Sequence, residues 1–317
     1  MQLSTGAATL NASGAGAQIY PSRRITMIVP FPPGGTADPI GRILADRMQT
    51  TLGQAVVVEN IAGANGSIGR LARATGDGYT IGLGGWNTNV ANAVIYNLSY
   101  DTVDDFQPVA LLATFPIMLV GRKSLPADNL KDFISWLKVK QGKATQASVG
   151  NGSMGHLLGA HFQAQTGIRF QHVRYRGSAA AMQGVMAEQV DFLFDSPASC
   201  QPQIRAGSVK GYAVLAPSRL ASSPEIPTVD EAGLPGFYAT NWVGFYAPKH
   251  TPPEAVSKLN AASTTALADA SVQQRIAAIG FVIPPADQQS PEALAAFHKA
   301  EIAKWGPIIR AANIKAE

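Results

Sequence analysis

Residues 28–40 carry the residue types that bind anions through the protein backbone. An apolar run ends here at a cluster of prolines, which is followed by Gly34 and Gly35. Thr36 or Asp38 is then placed to cap a helix whose first turn holds a proline. Free N–H groups and the positive end of the helix dipole attract a negative charge, which glycines allow to approach closely. The same pattern also fits a plain strand-to-helix turn, so the case for an anion site depends on further loops of this kind.

Two later loops repeat this pattern. Residues 150–156 contain Ser153, a natural N-cap residue, and they precede apolar residues at helical spacing. Residues 172–178 place a phenol and a cation, Tyr175 and Arg176, in a loop before another predicted helix. The repetition favours the interpretation of these loops as parts of one anion-binding site.

Polar side chains also stand where two other predicted strands end. One strand ends in Asp195 and Ser196, and another runs into a polar loop through Gly85 and Trp86. The Asp195 carboxylate could accept a hydrogen bond from an ammonium or hydroxyl group of a ligand, or it could cap the segment that follows. The loop after Gly85 could line the site or only close a turn.

The elements that must position these loops alternate along the chain. Strands are predicted at 24–31, 56–60 and 81–84, the second as a fully buried strand, and a helix is predicted from Asp38 to about Leu52. This alternation indicates the α/β class with mostly parallel sheets, whose strand ends share one edge. Two such sheets facing each other form a cleft that suits a small carboxylate without metal or covalent chemistry.

Composition narrows the class of protein. The 317 residues carry a net charge of +4 with 15% charged residues, so a folded globular protein is expected. Lys and Arg are scattered and not interleaved with aromatic residues, which argues against nucleic acid as a partner. The single cysteine, Cys200, cannot form an internal disulfide, and we expect it to be buried.

Residues 1–19 are predicted to be a signal-peptide remnant or a flexible leader. They are small and uncharged, and the run Ala15-Gly16-Ala17 fits the small-residue pattern of a signal-peptidase site. The basic start and the apolar core of a complete signal peptide are absent from this segment. We therefore expect an exported, soluble protein, and no other apolar run reaches the length of a membrane span.

Many motifs, in order, resemble the substrate-binding receptors of tripartite tricarboxylate transporters, the TctC or Bug family. The resemblance runs from about Tyr20 to the C-terminus. Its motifs lie at residues 29–38 with Arg42, 77–80, 105–109, 150–153 with His156 and Leu157, 175–177, 189–191, 204–207, 227–236, and Trp242 with Ala247 and Pro248.

The resemblance implies a two-lobed periplasmic binding protein fold, type II-like, that closes on a small organic carboxylate and delivers it to a membrane permease. Each lobe is expected to be a mostly parallel sheet flanked by helices. We expect crossings near 121–123 and 244–246, so that residues 20–121 and 246–317 form the first lobe and 122–245 the second. A periplasmic monomer without a cofactor follows from the same resemblance.

The loops and the resemblance together predict the ligand contacts. In the first lobe these are Phe31, Pro33, Gly34, Gly35, Thr36, Ala37, Asp38, Gly85 and Trp86. In the second lobe they are Asn151, Gly152, Ser153, Met154, Tyr175, Arg176, Gly177, Asp195 and Ser196. The bulky Trp86, and Arg174 where the family more often has proline, leave open whether the acid is aliphatic or aromatic and how many carboxylates it carries.

Two other functions remain open from the sequence. Residues 151–155 nearly match the nucleophile elbow of α/β hydrolases, which would make Ser153 a nucleophile, but no histidine stands in a distinctive context. A zinc site is disfavoured, because His156 and His161 are five residues apart and no cysteine pair exists. A receptor that signals to a partner in place of a permease would show the same motifs.

Overall fold

The computed structural model describes residues 20–311, and the predicted leader at 1–19 lies outside the described residues. Ten strands and ten α-helices alternate over this part of the chain. The strands form two sheets of five, flanked by helices, as the sequence predicts for a two-lobed α/β protein.

The first sheet has the order β2-β1-β3-β10-β4. Its strands are β1 (Ile25–Val29), β2 (Val56–Asn60), β3 (Thr80–Gly85), β4 (Phe106–Pro116) and β10 (Thr240–Pro248). Strand β10 is antiparallel to both of its neighbours, whereas β1 pairs in parallel with β2 and β3. Four strands therefore share one direction, which confirms a mostly parallel sheet.

The second sheet has the order β7-β6-β8-β5-β9. Its strands are β5 (Met118–Arg122), β6 (Thr145–Ser148), β7 (Gln171–Arg174), β8 (Phe192–Asp195) and β9 (Val209–Val214). Here β5 is the strand that is antiparallel to both of its neighbours. The two lobes therefore repeat one topology, and the reversed strand in each follows directly after a crossing between the sheets.

The helices cover both sheets. They are α1 (Ala37–Leu52), α2 (Ala64–Ala72), α3 (Asn92–Ile95), α4 (Leu130–Val139), α5 (Met154–Thr166), α6 (Ser178–Met186), α7 (Pro197–Arg205), α8 (Pro253–Ala268), α9 (Ala270–Ala278) and α10 (Pro291–Ala311). A π-helical turn, Trp86–Ala91, joins β3 to α3. The prolines at 253 and 291 begin α8 and α10, as expected for a residue that lacks the N–H group a first turn leaves unused.

The crossings between the sheets lie earlier than the predicted 121–123 and 244–246. Strand β5 already belongs to the second sheet, so the chain crosses at Ile117, and β10 already belongs to the first sheet, so the return precedes Thr240. Ile117 N donates to Ala239 O and Leu215 N donates to Ile117 O, at 3.0 and 2.8 Å. The apolar sequence continues without a break through this backbone junction. The sequence alone therefore does not show at which residue the chain crosses.

Strand β2 differs from the prediction of a fully buried strand. It lies at the edge of the first sheet, where it pairs only with β1. Val57 is 45% exposed, although Val56 is buried. An apolar run alone does not distinguish an edge strand from a central one, because that depends on which strand pairs with it.

Candidate ligand-binding cleft

A cavity lies between the two sheets, at the ends of strands from both lobes. It offers about 90 Å³ to the centres of water-sized molecules, and on that scale roughly 10 to 15 Å³ holds one water. Predicted residues that line it are Phe31, Pro33, Gly35, Thr36, Ala37, Gly85, Trp86, Met154, Arg176, Gly177, Asp195 and Ser196. The structure therefore brings loops that are far apart in sequence to one cavity of a size that suits a small organic acid.

Four helices begin at this cavity. Ala37, Met154 and Ser178 are the first residues of α1, α5 and α6, and Ser196 directly precedes α7. The first lobe supplies α1, and the second lobe supplies the other three. Since a helix N-terminus presents backbone N–H groups and a positive dipole end, their convergence makes the cavity favourable for an anion.

Hydroxyl groups of the two lobes meet across the cavity. Thr36 Oγ1 of the first lobe lies 3.1 Å from Ser196 Oγ and 3.5 Å from Ser178 Oγ, both in the second lobe. Ser178 Oγ also donates to Asp195 Oδ1 at 3.0 Å. Because the single proton of Ser178 is used in that bond, Ser178 can only accept from Thr36.

Asp195 is buried behind these hydroxyls. Its Oδ1 accepts from the Ser196 backbone N–H at 2.7 Å as well as from Ser178. Burial raises the pKa of the Asp195 carboxyl, against hydrogen bonds from Ser196, Ser178 and Ser199 that lower it. The carboxylate therefore holds the start of α7, and its contact with a ligand stays a prediction.

Arg176 is the cationic side chain of the cavity wall. Its side chain is exposed, and it forms no hydrogen bond or ion pair with any residue that the structure describes. Asp195 is the other charged residue in the lining. A guanidinium that is not committed to a protein carboxylate is free to pair with a carboxylate ligand.

A second contact crosses the cleft from the π-helical turn. Asn87 Oδ1 accepts from the backbone N–H of Met154 at 3.1 Å. Asn87 lies in the first lobe and Met154 is the first residue of α5 in the second. The sequence marked this polar loop as a possible wall of the site but did not single out Asn87.

Six predicted residues do not line the cavity: Gly34, Asp38, Asn151, Gly152, Ser153 and Tyr175. Asp38 is the clearest case. It is 5% exposed and lies inside the first turn of α1, so it does not cap the helix. Thr36 occupies the N-cap position, and its side chain makes no capping bond. Asp38 accepts instead from Gly34 N at 3.0 Å and from Asn60 Nδ2 at 2.9 Å, and it pairs with Arg42. The carboxylate fixes the shape of the loop that precedes α1, through Gly34.

Ser153 is the N-cap of α5, as the sequence predicts. Its Oγ accepts from the backbone N–H of His156 at 3.3 Å. The His156 ring accepts from Gly152 N at Nδ1, so it is directed at the loop and not at the hydroxyl. Asn151 and Gly152 form the turn before this cap, where a positive φ of 72° favours glycine. These three residues shape the loop beside the cavity without lining it.

Tyr175 also lies outside the cavity lining. Its half-buried ring packs against the core of the second lobe, and its hydroxyl lies against Gly184 of α6. An added Cβ at Gly184 would overlap that hydroxyl. Tyr175 therefore supports α6, whose N-terminus reaches the cavity, and does not present its hydroxyl to the site.

Apolar side chains missed by the sequence analysis complete the walls. They are Leu83, Phe115, Ile117, Val149, Phe194, Trp242 and Val243. Trp242 is held by a hydrogen bond from its Nε1 to Glu301 at 3.2 Å. Trp86 is fully buried and packs edge-on against Trp305 with ring centroids 5.3 Å apart. Pro116, between Phe115 and Ile117, ends strand β4. Such a proline in the sequence could have indicated that these two residues lie at the crossing.

Further lining residues are small, polar or part of the proline loop: Pro30, Pro32, Gly84, Thr88, Gly155, Ser178, Ala179 and Asn241. Ser178 directly follows the predicted Gly177, so the motif alone could have included it. Across residues 20–311, no group of three or more His, Cys, Asp or Glu side chains is arranged to hold a metal ion. In the same part of the chain, no helix has the length and apolarity needed to cross a membrane.

Comparison with known proteins agrees with this geometry. A profile of the TctC family, described as the tripartite tricarboxylate transporter family receptor, matches residues 40–314. Protein BugT of Bordetella pertussis is 34% identical over 308 residues, which cover 96% of this chain and 94% of BugT. Both matches extend over nearly all of the two lobes.

Solved structures of similar proteins have the same fold. The periplasmic binding protein BugD gives a TM-score of 0.87 at 34% identity, covering 94% of this chain and 100% of BugD. MatC from Rhodopseudomonas palustris with bound malate gives a TM-score of 0.85 at 35% identity, covering 92% of this chain and 100% of MatC. R. palustris Rpa4515 with adipate gives a TM-score of 0.88 at 31% identity, covering 93% of this chain and 99% of Rpa4515. The chain belongs to the tripartite tricarboxylate transporter receptor family.

Proposed function

We propose that this protein is an extracytoplasmic receptor that closes on a small aliphatic dicarboxylate and delivers it to the membrane permease of a tripartite tricarboxylate transporter. The observation that carries the proposal is the cavity between the lobes, at which four helices begin and Thr36 meets Ser178 and Ser196. Groups from both lobes therefore surround one position that favours negative charge.

The donors of this site suit a carboxylate. Each helix N-terminus adds roughly 0.3 to 1 kcal/mol for an anion, and a hydrogen bond to a charged group adds roughly 1.5 to 3 kcal/mol. Arg176 and the hydroxyls of Thr36 and Ser196 supply such bonds at the cavity wall. A few of these contacts suffice for micromolar binding, so no metal or covalent bond is needed.

The ligand class follows from the size of the cavity and from the similar structures. Two of them hold the dicarboxylates malate and adipate. The apolar walls formed by Phe31, Phe115 and Trp242 accommodate a short carbon chain between two charged ends. A dicarboxylate of four to six carbons, the lengths of malate and adipate, is the class we assign.

Periplasmic location and delivery to a permease are inferred from the family. The similar protein BugD is described as a periplasmic binding protein. Hydrolysis by Ser153 is not favoured, because that hydroxyl accepts from the His156 backbone while the His156 ring binds Gly152 N. A nucleophile needs a base within hydrogen-bond distance, which this arrangement does not supply.

A thermal-shift screen tests the proposal. The purified protein is heated with mono-, di- and tricarboxylates, aliphatic and aromatic, and with amino acids, and each mixture is examined afterwards by NMR for turnover. A ligand at 100 times its dissociation constant adds about 2.7 kcal/mol to the free energy of unfolding. We expect the largest shift from an aliphatic dicarboxylate that is recovered unchanged. Shifts only from other classes, or conversion of the ligand, would contradict the proposal.

A further inference from the structure

Asn87 occupies a position that connects the two lobes at the cavity itself. It is the second residue of the π-helical turn Trp86–Ala91, in the first lobe, and it lines the cavity. Its Oδ1 accepts from the backbone N–H of Met154, 3.1 Å away in the second lobe. Thr36 of the first lobe also bonds across the cavity, through its hydroxyl.

The contact with Met154 completes the cap of α5 from outside the second lobe. The first N–H groups of a helix have no intrahelical partners. Within the second lobe, Ser153 supplies the acceptor for His156 N, two residues further along the first turn. Asn87 supplies the acceptor for the first residue, so this N–H has a protein partner only while the lobes are together.

The same bond fixes which way the Asn87 amide faces. A backbone N–H can only donate, so the atom that faces Met154 must be Oδ1, and Nδ2 must point the other way. Among residues 20–311, no group accepts a hydrogen bond from Nδ2. The Nδ2 atom is also not fully buried. Nδ2 is therefore accessible to water at the cavity wall that Asn87 helps to form.

We propose that Asn87 is a ligand-binding and closure-determining residue, which donates from Nδ2 to a carboxylate oxygen of the ligand while Oδ1 holds the N-terminus of α5. This inference rests on the proposed function, which it deepens by naming the residue that couples the ligand to closure. A ligand carboxylate and the Met154 N–H bind opposite ends of one planar amide. Each bond orients the amide for the other, so ligand binding and closure of the lobes stabilise each other.

Substitution of Asn87 by aspartate separates the two roles. In Asn87→Asp a carboxylate oxygen still accepts from Met154 N, but the donor becomes an anion that repels a carboxylate ligand. Asn87→Ala loses both groups. The matched control is Asn241→Asp, which introduces the same charge at another residue of the cavity wall, whose Oδ1 accepts from the adjacent Trp242 N and not across the cleft.

The experiment measures two quantities for wild type and the three variants: the affinity for malate and adipate by calorimetry, and hydrogen exchange of the Met154 amide. We expect Asn87→Asp to weaken binding at least ten-fold more than Asn241→Asp while Met154 stays protected. We expect Asn87→Ala to weaken binding and to speed Met154 exchange at least ten-fold.

Equal losses in Asn87→Asp and Asn241→Asp would overturn the ligand contact, because general repulsion would explain both. Unchanged Met154 exchange in Asn87→Ala would overturn the closure contact. A wild type that binds neither acid contradicts the proposed dicarboxylate class and the ligand contact with it. In that case, Met154 amide exchange in ligand-free wild type and Asn87→Ala still tests the Asn87–Met154 contact independently.

Discussion

The Thr36 hydroxyl of the first lobe lies 3.1 Å from the Ser196 hydroxyl of the second. Behind Ser196, the Asp195 carboxylate accepts from the Ser178 hydroxyl and from the Ser196 backbone N–H, so a buried acceptor orients the Ser178 hydroxyl and holds the backbone of Ser196. After the proton that Ser178 gives to Asp195, two hydroxyl protons remain, on Thr36 and Ser196. Either of them can form the bond that joins the two lobes at the Thr36–Ser196 contact.

The first prediction concerns Thr36→Val, which keeps the shape of the side chain and removes its hydroxyl. Loss of one hydrogen bond across the cleft costs about 1 kcal/mol, which is about five-fold in the dissociation constant for a dicarboxylate. The thermal stability of the ligand-free protein changes little, because the side chain caps no helix. Calorimetric titration and thermal unfolding measure the two effects.

The control for Thr36→Val is Thr264→Val, whose hydroxyl bonds only to its own helix, at Ala261 O. This variant is expected to bind as tightly as wild type. Equal affinities for Thr36→Val and Thr264→Val would show that the hydroxyl of Thr36 does not contribute to the closed, ligand-bound state.

The second prediction concerns Asp38→Ala, which removes the acceptor that holds Gly34 in the loop. Three donors, from Gly34, Arg42 and Asn60, lose the buried Asp38 carboxylate as their acceptor. We expect a loss of about 2 to 3 kcal/mol in the free energy of unfolding, together with weaker ligand binding, because the loop is no longer fixed. Denaturant unfolding and calorimetry measure these changes.

Asp46→Ala is the matched control on the same helix. Asp46 forms an exposed ion pair with Arg275 at 3.2 Å, and such a pair contributes about 0 to 1 kcal/mol. Unchanged ligand affinity in Asp38→Ala would contradict the role of Asp38 in shaping the loop. Equal stability losses in the two variants would do the same.

The third prediction concerns the stacked pair His156 and His172, whose ring centroids lie 3.8 Å apart at an angle of 5°. Burial, then the neighbouring His156 and Arg174, lower the pKa of His172 to about 4. The folded pKa is thus below the unfolded value of about 6.5. The unfolded chain binds the proton more readily, so stability is full above pH 6.5 and falls between about pH 6.5 and 4.

The full shift corresponds to about 3 kcal/mol, which solvent screening of this half-buried ring reduces to about 1 to 2 kcal/mol. His172→Gln is expected to flatten the pH dependence of the free energy of unfolding in this range. His161→Gln is the control, since His161 stacks on Phe237 and not on the pair. The same slope in wild type and His172→Gln would show that the pair does not govern acid stability.

Local patterns predicted local structure well. The run before Gly34 became a strand and a loop, Ser153 became an N-cap, and the helix predicted from Asp38 to about Leu52 spans Ala37–Leu52. These features depend on a few neighbouring residues, whose preferences a sequence displays directly. The placement of the glycine-rich loops at one cavity followed from the rule that strand ends share an edge.

Contacts between residues that are far apart in the sequence were harder to predict. Asp38 was expected to cap its helix, but Asn60, on a neighbouring strand, and Gly34 take its oxygens. Tyr175 was expected in the site, but the small residue Gly184 leaves room for its hydroxyl, and its ring packs against the core. Asn87 was not singled out, because its partner Met154 comes from the other lobe. Each of these outcomes depends on a tertiary neighbour that no local spacing reveals.

The need of the cleft for a charged ligand is tested most directly by calorimetric titration of the wild-type protein at neutral pH. The titration compares free adipic acid with its dimethyl ester, and malate with dimethyl malate as a second pair. We expect the free dicarboxylate to bind with a dissociation constant in the micromolar range or below, and the uncharged ester to bind at least a hundred-fold more weakly. Equal binding of acid and ester, or no binding of either acid, would contradict a cleft built to hold carboxylates between its two lobes.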